Sequence, residues 1–252
     1  MFSQLERRLE PYGLLPMMPV RRRTFSLVFP ARQLATGREL FVKLLLSDKP
    51  GLRRKFGREI EILTVLAGQP GVAPLVAAST EDLVFHACDR VCGRSLGEVA
   101  QACDGRDLAV LLEHGKALAQ WIADLHRLGI AHRDLSPGHV FVEADSGLVV
   151  VDFGMARRTG ELPAAERRRC EGYDLQALGM ILWEMICRST IFPYRDRALP
   201  AALQREAALV EEAGLPPEVR RLLLGCFAAA SEFTPDGNGF TSVGEAFETL
   251  VA

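Results

Sequence analysis

A chain of 252 residues, 48% of them hydrophobic, can bury the core of one large domain or of two small lobes, so its composition excludes a largely disordered protein. The formal net charge of -2 excludes a strong overall field, so we expect no nucleic acid and no anionic membrane as a general partner. The six cysteines stand apart without metal-binding spacing, and no apolar stretch has the length of a secretory signal or a transmembrane segment. We therefore expect a cytoplasmic protein with reduced thiols.

The first third of the chain is predicted to be rich in strands. Alternating apolar residues and short apolar runs indicate strands, whereas apolar residues at helical spacing indicate one helix. The predicted elements are strands at 24–29 and 40–46 joined as a hairpin, a helix at 52–67, and strands at 72–78 and 83–88. Gly93 then predicts a boundary between two lobes.

The remainder of the chain is predicted to be mostly helical. The predicted helices span residues 108–128, 174–187, 199–213, 216–229 and 242–251, and short strands at 140–142 and 148–151 flank a turn at 145–147. Asp174 and Ser242 are residue types that favour helix N-caps, so we expect each to begin its helix.

Four charged residues follow the order that phosphoryl transfer would need. This chemistry requires cations near the phosphates, carboxylates that bind metal, and a carboxylate that faces the attacking hydroxyl. Lys43 lies on a predicted strand, and Glu59 lies within a predicted helix, where it could form an ion pair with Lys43. Asp134 belongs to the sequence HRDL after a long helix, and Asp152 begins the sequence DFG after a strand. Each residue alone is common, but together they are specific.

These motifs and the segments around them resemble eukaryotic-type protein kinases, and the resemblance covers nearly the whole chain. The matching segments are residues 35–39, 89–96, 124–126, 129–132 and 174–179. The resemblance implies an α+β, two-lobed protein-kinase-like fold, with a small antiparallel sheet and one main helix in the first lobe and a larger helical second lobe. It also implies a single domain over residues 1–252, divided into lobes at 1–90 and 91–252.

The same resemblance implies roles for individual residues. Lys43 contacts the phosphates of ATP, Glu59 holds Lys43, and Asp134 orients the acceptor hydroxyl, which belongs to a protein or a small molecule. Asp174 braces the catalytic loop. The implied catalytic set is Asp134, Lys43, Glu59 and Arg133; the nucleotide-binding set is Lys43, Val28, Phe41, Asp89, Val91 and Phe141; and the metal ligands are Asp152 and His139, for Mg²⁺ with Mn²⁺ as the alternative.

The nucleotide-binding part of the chain departs from the kinase pattern. Arg21, Arg23 and Ser26 stand where the family has three glycines, and arginine side chains obstruct the approach of backbone amides to phosphate. We expect solvent-facing arginines here, with contact to an anionic substrate as the alternative. Phe41 stands where the family has a small alanine, and together with Phe141 it could fill the adenine site. The alternative is that Phe41 packs in the core of the lobe.

The catalytic loop also departs from the pattern. Ser136 and His139 replace the family's lysine and metal-binding asparagine, and an imidazole suits Mn²⁺ or Zn²⁺ better than Mg²⁺. Lipopolysaccharide-core sugar kinases, a bacterial branch similar to this fold, carry histidine at this place. The alternative interpretation is that His139 only forms hydrogen bonds within the loop.

The segment from Asp152 to Asp174 spans 22 positions, which is shorter than in kinases that dock peptides there. It also lacks the sequence Ala-Pro-Glu. Thr159 and Tyr173 are its candidate phosphorylation sites.

Three functions fit these observations. The first is an ATP-dependent phosphotransferase of the protein serine/threonine kinase type, which rests on the four retained charged residues. The second is a pseudokinase that binds partners, which the lost glycines and Phe41 favour. The third is a kinase of a small molecule or glycolipid, which the short segment and His139 favour over a peptide substrate.

Overall fold

The computed structural model describes residues 2–103, 108–144, 147–188, 208–229, 240 and 242–251. The chain separates into two compact units, Met1–Gly93 with Val149–Gly154, and Arg94–Leu148 with Met155–Ala252. Antiparallel strands occur together with helices, which confirms the expected α+β fold of kinase-like, two-lobed type.

The first unit is built on an antiparallel sheet. Its elements are α1 (Phe2–Leu9), a 3₁₀ turn (Glu10–Tyr12), β1 (Leu14–Pro16), β2 (Arg21–Arg22), β3 (Ser26–Gln33), β4 (Glu39–Leu45), α2 (Pro50–Val65), β5 (Leu75–Ser79) and β6 (Phe85–Asp89). The strand order is β1-β3-β4-β6-β5, and β2 pairs with β3 as well. The predicted hairpin is therefore the β3–β4 pair, and the two later predicted strands are β5 and β6.

One face of this sheet carries the core. Side chains alternate along β4, so Leu40, Val42 and Leu44 are buried while Phe41 and Lys43 lie on the other face. The core cluster also takes in Leu5 and Leu9 of α1, a helix that the sequence analysis did not predict. That helix is only eight residues long, and a helix of this length is marginal in water without tertiary packing.

Helix α2 agrees with the predicted helix within two residues at each end. Pro50 occupies its first turn, where the missing N–H needs no partner. Its buried side includes Phe56, Ile62 and Leu63, together with the charged Glu59.

The second unit is mainly helical. Its elements are β7 (Arg94–Ser95), α3 (Leu96–Ala102), α4 (Leu108–Arg127), β8 (Ile130–Ala131), β9 (Val140–Glu143), β10 (Gly147–Val150), β11 (Arg157–Arg158), α5 (Ala164–Cys187), α6 (Pro217–Ala228) and α7 (Val243–Val251). The last two residues of β10 already belong to the first unit. Residues 208–212 are also helical, whereas 199–207 of that predicted helix and 145–146 of the predicted turn lie outside the described residues.

Of the two predicted helix N-caps, Ser242 is confirmed and Asp174 is not. Ser242 caps α7, because its Oγ accepts a hydrogen bond from the Glu245 N–H at 3.4 Å. The prediction for Asp174 was wrong, since α5 begins ten residues earlier, at Ala164. Good helix formers fill the intervening residues, and the buried Asp174 carboxylate accepts hydrogen bonds from another segment instead of capping a helix.

Among the described helices, none is long and apolar enough to cross a membrane.

Candidate functional site

Three of the predicted site residues meet in the first unit. The Lys43 Nζ on β4 donates hydrogen bonds to Glu59 Oε1 at 2.8 Å and Oε2 at 3.0 Å on α2. It also donates to Asp152 Oδ1 at 2.8 Å, beyond the end of β10. The two carboxylates differ in surroundings, because the Glu59 side chain is 3% exposed and that of Asp152 is 41% exposed. The arrangement leaves one carboxylate to hold the lysine and the other accessible to a ligand.

Opposite charges in this cluster shift the pKa values of Lys43 and Glu59 in the directions that favour their charged forms. Burial alone would lower the pKa of Lys43, but the Glu59 and Asp152 carboxylates outweigh it and raise the pKa. Burial would raise the pKa of Glu59, but the contact with His86 and the charge of Lys43 hold that pKa below its ordinary value. Lys43 and Glu59 therefore stay ionised at neutral pH.

His86 is the member of the cluster that the sequence analysis missed. It lies on β6 directly opposite Lys43, is 8% exposed, and places Nε2 3.3 Å from Glu59 Oε1. Its ring packs against Phe56 of α2 with centroids 5.3 Å apart. A histidine within a short apolar run carries no motif, so only the strand register could have revealed it.

The backbone around Asp152 is constrained. Asp152 has a φ of 65°, which is unusual for a residue with a side chain, and its Oδ1 accepts a hydrogen bond from the Gly154 N–H at 3.3 Å. A Cβ on Gly154 would lie 3.1 Å from both Lys43 Nζ and Asp152 Oδ1. Glycine therefore keeps the space beside these two groups open.

The residues present suit a magnesium ion that arrives with a nucleotide. Mg²⁺ is typically bound by one or two carboxylates together with phosphate oxygens and water. Asp152 offers an accessible carboxylate of this kind. Within the described part of the chain, no group of three histidine, cysteine or acidic residues could hold a metal unaided. Ligands from phosphate would therefore be needed.

Four predicted nucleotide-binding residues lie on or next to neighbouring strands of the first unit. Val28 on β3 is opposite Lys43 in the register, and Asp89 ends β6 with Val91 two residues beyond. Phe41 shares the face of Lys43 and is 45% exposed, so the interpretation of Phe41 as lobe core was wrong. Side-chain alternation along β4 places Phe41 on the face away from the core.

Asp89 forms an ion pair with Arg38. Phe141, the remaining member, lies on β9 of the second unit opposite Ser95.

The HRDL segment is organised by Asp174 in the second unit. Asp174 accepts hydrogen bonds from the backbone N–H of His132 at 2.8 Å and of Arg133 at 2.6 Å, and His126 Nε2 donates to it at 2.9 Å. Burial would raise the pKa of Asp174, but the hydrogen bond from His126 and the nearby positive groups lower it. Arg133 has a φ of 65°, so this anchor holds a strained backbone immediately before Asp134.

His139 takes part in hydrogen bonds within the same loop. Its Nδ1 donates to the backbone carbonyl of Asp134 at 2.7 Å, and its N–H donates to the Ser136 carbonyl at 2.9 Å. The structure therefore supports the loop-bracing interpretation of His139, and its role as a metal ligand stays a prediction.

The two candidate phosphorylation sites differ in burial, because Thr159 is buried and Tyr173 is partly exposed. Thr159 is fully buried, and its N–H donates to the Gly129 carbonyl at 2.6 Å. The Arg133 guanidinium lies over the ring of Tyr173, 5.8 Å from its centroid. The Thr159 hydroxyl would not reach another active site without local opening.

Comparisons with known proteins agree with these motifs. The model of the lipopolysaccharide kinase (Kdo/WaaP) family matches residues 82–181. The serine/threonine-protein kinase PknD of Chlamydia abortus is 29% identical over 199 residues, which cover 60% of this chain and 21% of that protein. A probable serine/threonine-protein kinase of Clostridium perfringens is 23% identical over 215 residues, covering 77% and 30%. Cyclin-dependent kinase 20 of Rattus norvegicus is 27% identical over 191 residues, covering 67% and 55%.

The chain thus spans between 21% and 30% of the length of these bacterial relatives. The ordered kinase motifs, the α+β fold and the matches together support a divergent protein-kinase-like protein.

Proposed function

We propose that this chain is an ATP-dependent phosphotransferase that moves the terminal phosphoryl group of ATP to a hydroxyl group, as serine/threonine protein kinases do. The observation that carries the proposal is the ion-paired cluster of Lys43, Glu59 and Asp152, which come from three separate parts of the sequence. A structural ion pair would need only one carboxylate. The second, accessible carboxylate suits the metal that accompanies ATP.

Each of these residues would have a distinct role in the reaction. Lys43, held by Glu59, would bind the phosphates, and Asp152 would hold Mg²⁺, which supplies charge neutralisation on the phosphate oxygens. Asp134, on the loop anchored by Asp174, would accept the proton of the attacking hydroxyl. Mn²⁺ is an alternative metal for the same site.

The first experiment measures transfer from labelled ATP with Mg²⁺ or Mn²⁺. We expect incorporation by the natural chain and a loss of about 100-fold or more in Asp134→Asn, because a positioned base typically contributes that much. Asp124→Asn is the matched control, since Asp124 lies on the surface of α4 and pairs with Arg127.

A pseudokinase gives the opposite result. It would incorporate no label with either metal and would show no change in melting temperature on adding ATP. Equal incorporation by the natural chain and Asp134→Asn would also refute the proposed role of Asp134.

A glycolipid or small-molecule hydroxyl is the second candidate acceptor. The match to the lipopolysaccharide kinase family and the short segment between Asp152 and Asp174 favour it. Separating labelled protein from labelled lipopolysaccharide or small-molecule product decides between the two acceptors. Label found only on protein would argue against the second candidate.

A further inference from the structure

His86 is a buried polar side chain that the proposed mechanism does not use. It belongs to β6, where its neighbours in sequence, Phe85 and Ala87, are fully buried in the core. His86 points the other way, toward α2, and Glu59 Oε1 lies 3.3 Å from its Nε2. Among the described residues, Nε2 has no partner with the geometry of a full hydrogen bond, so the approach to Glu59 is its nearest contact with a carboxylate. Burying a polar nitrogen without a partner is costly, so this contact calls for an explanation.

The neighbours of His86 favour one tautomer. Cys88 Sγ lies 3.8 Å from its Nδ1. Burial and the nearby carboxylates of Glu59 and Asp89 raise the pKa of the Cys88 thiol to about 12, so the thiol keeps its proton and can donate it to Nδ1. Such a hydrogen bond would place the ring proton on Nε2, which faces Glu59.

Lys43 reaches both oxygens of Glu59, but a second donor would hold this carboxylate when the lysine also binds phosphate. The lysine ammonium stands on a flexible stem and is shared between Glu59 and Asp152. If Lys43 also binds phosphate, the carboxylate that holds it must itself be held. A buried carboxylate is stable only when its charge is paired and its oxygens accept hydrogen bonds.

We propose that His86 is a positioning residue for phosphoryl transfer, whose Nε2–H holds the Glu59 carboxylate in the orientation that presents Lys43 to the phosphates. This inference rests on the proposed function. His86 touches neither substrate nor metal, and it acts through Glu59.

Two substitutions at His86 separate positioning from packing. His86→Leu fills the space with an apolar side chain and removes the donor, whereas His86→Gln restores an N–H at a similar distance from the backbone. We expect kcat/KM for ATP to fall about 10- to 100-fold in His86→Leu, the loss typical of a hydrogen bond to a charged group, and to return within about threefold of the natural value in His86→Gln. His114→Leu, which removes a half-buried histidine from α4, is the control and should leave kcat/KM unchanged.

The proposal fails if Leu and Gln at position 86 lower kcat/KM equally, since packing alone would then account for the loss. It also fails if His86→Leu is folded and fully active. Melting temperatures of all variants establish that they are folded.

A second measurement does not depend on activity. In ¹⁵N NMR of the natural chain, we expect the His86 imidazole to carry its proton on Nε2 and its signals to shift in Glu59→Gln. Unchanged signals in that variant, or a proton on Nδ1, would overturn the contact even if the fold is intact. Absence of label transfer by the natural chain would instead refute the proposed function, and the NMR result would still decide whether His86 holds Glu59.

Discussion

At the scale of single residues, the candidate site is dominated by the burial of Glu59. A carboxylate that is 3% exposed cannot rely on water, so its free energy depends on Lys43 and His86. Its role in the proposed reaction and its effect on stability are therefore linked. The same ammonium group that would bind phosphate also compensates a buried charge.

This linkage makes a prediction for Lys43→Met. Removing the ammonium leaves the Glu59 charge without its main partner, so we expect the free energy of unfolding to fall by roughly 3 kcal/mol. Adding Glu59→Gln removes the orphaned charge and should recover most of that loss. Urea unfolding of the natural chain, both single variants and the double variant measures the coupling energy. Additive losses in the double variant would contradict the predicted coupling.

At the scale of secondary-structure elements, strand register decides which side chains can reach the site. In the row that includes Lys43, the directly opposite residues are Arg21, Val28 and His86, so their side chains share one face of the sheet. Arg22 belongs to the next row, opposite Leu27, which is buried in the core face. Two consecutive arginines therefore face opposite sides of the same sheet.

The register predicts a difference between Arg21 and Arg22. Neighbouring strands lie about 4.8 Å apart, so the long Arg21 side chain can extend over β3 toward a phosphate held by Lys43. We expect Arg21→Ala to weaken ATP binding about tenfold, as loss of one charge-assisted hydrogen bond does, and Arg22→Ala to change it less than twofold. Isothermal titration at low and high salt measures both, and the Arg21 effect should shrink in high salt. Equal weakening by the two variants would indicate a general charge effect and refute the register argument.

Helix packing in the second unit gives an independent prediction about stability. A Cβ on Gly179 of α5 would lie 2.7 Å from Cys226 Cβ and 3.1 Å from the Phe227 ring of α6. We therefore expect Gly179→Ala to lower the free energy of unfolding by about 1–3 kcal/mol. Gly57→Ala in α2 is the matched control, because a Cβ there meets nothing within 4 Å and alanine favours a helix by up to about 1 kcal/mol. Denaturant unfolding should show opposite signs, and a neutral Gly179→Ala would show that the helices can move apart at little cost.

At the scale of the whole molecule, acid stability should depend on carboxylates that are ionised inside the fold. Asp174 is fully buried, and its pKa in the folded protein lies below the value of about 3.9 expected in the unfolded chain. A carboxylate whose pKa is lower in the folded protein than in the unfolded chain stabilises the fold at pH values above the unfolded pKa. This contribution is lost as the pH falls from the unfolded pKa toward the folded pKa.

Asp174→Asn tests this dependence. We expect the variant to be less stable than the natural chain at pH 7 by about 2–4 kcal/mol, because an amide nitrogen would face a backbone donor. The difference should narrow as the pH falls below about 4, where the natural chain loses the contribution of the charge. Asp48→Asn removes a fully exposed carboxylate and should differ little from the natural chain at any pH. Unfolding in urea at several pH values measures these differences, and a constant difference for Asp174→Asn would contradict the assignment.

Much of the fold could be predicted because its signals are local. The alternation of apolar residues predicted β3 and β4, and apolar residues at helical spacing predicted α2 and α4. The predicted bounds of these elements agree with the structure to within a few residues. The missed elements were short, such as β2 and α3, or depended on tertiary packing, such as α1. The start of α5 was misplaced because Asp174 has the chemistry of an N-cap, although its partners come from a distant loop.

The candidate site was only partly visible in the sequence. The order of the motifs predicted that Lys43, Glu59 and Asp152 would act together, and the structure brings these three side chains into contact. The sequence alone thereby determined which charged groups are available and the class of fold that holds them. The contact of His86 with Glu59, the burial of Thr159 and the face of Phe41 were decided by strand register and packing, because contacts between residues far apart in the chain depend on how the whole sheet and helices close around them.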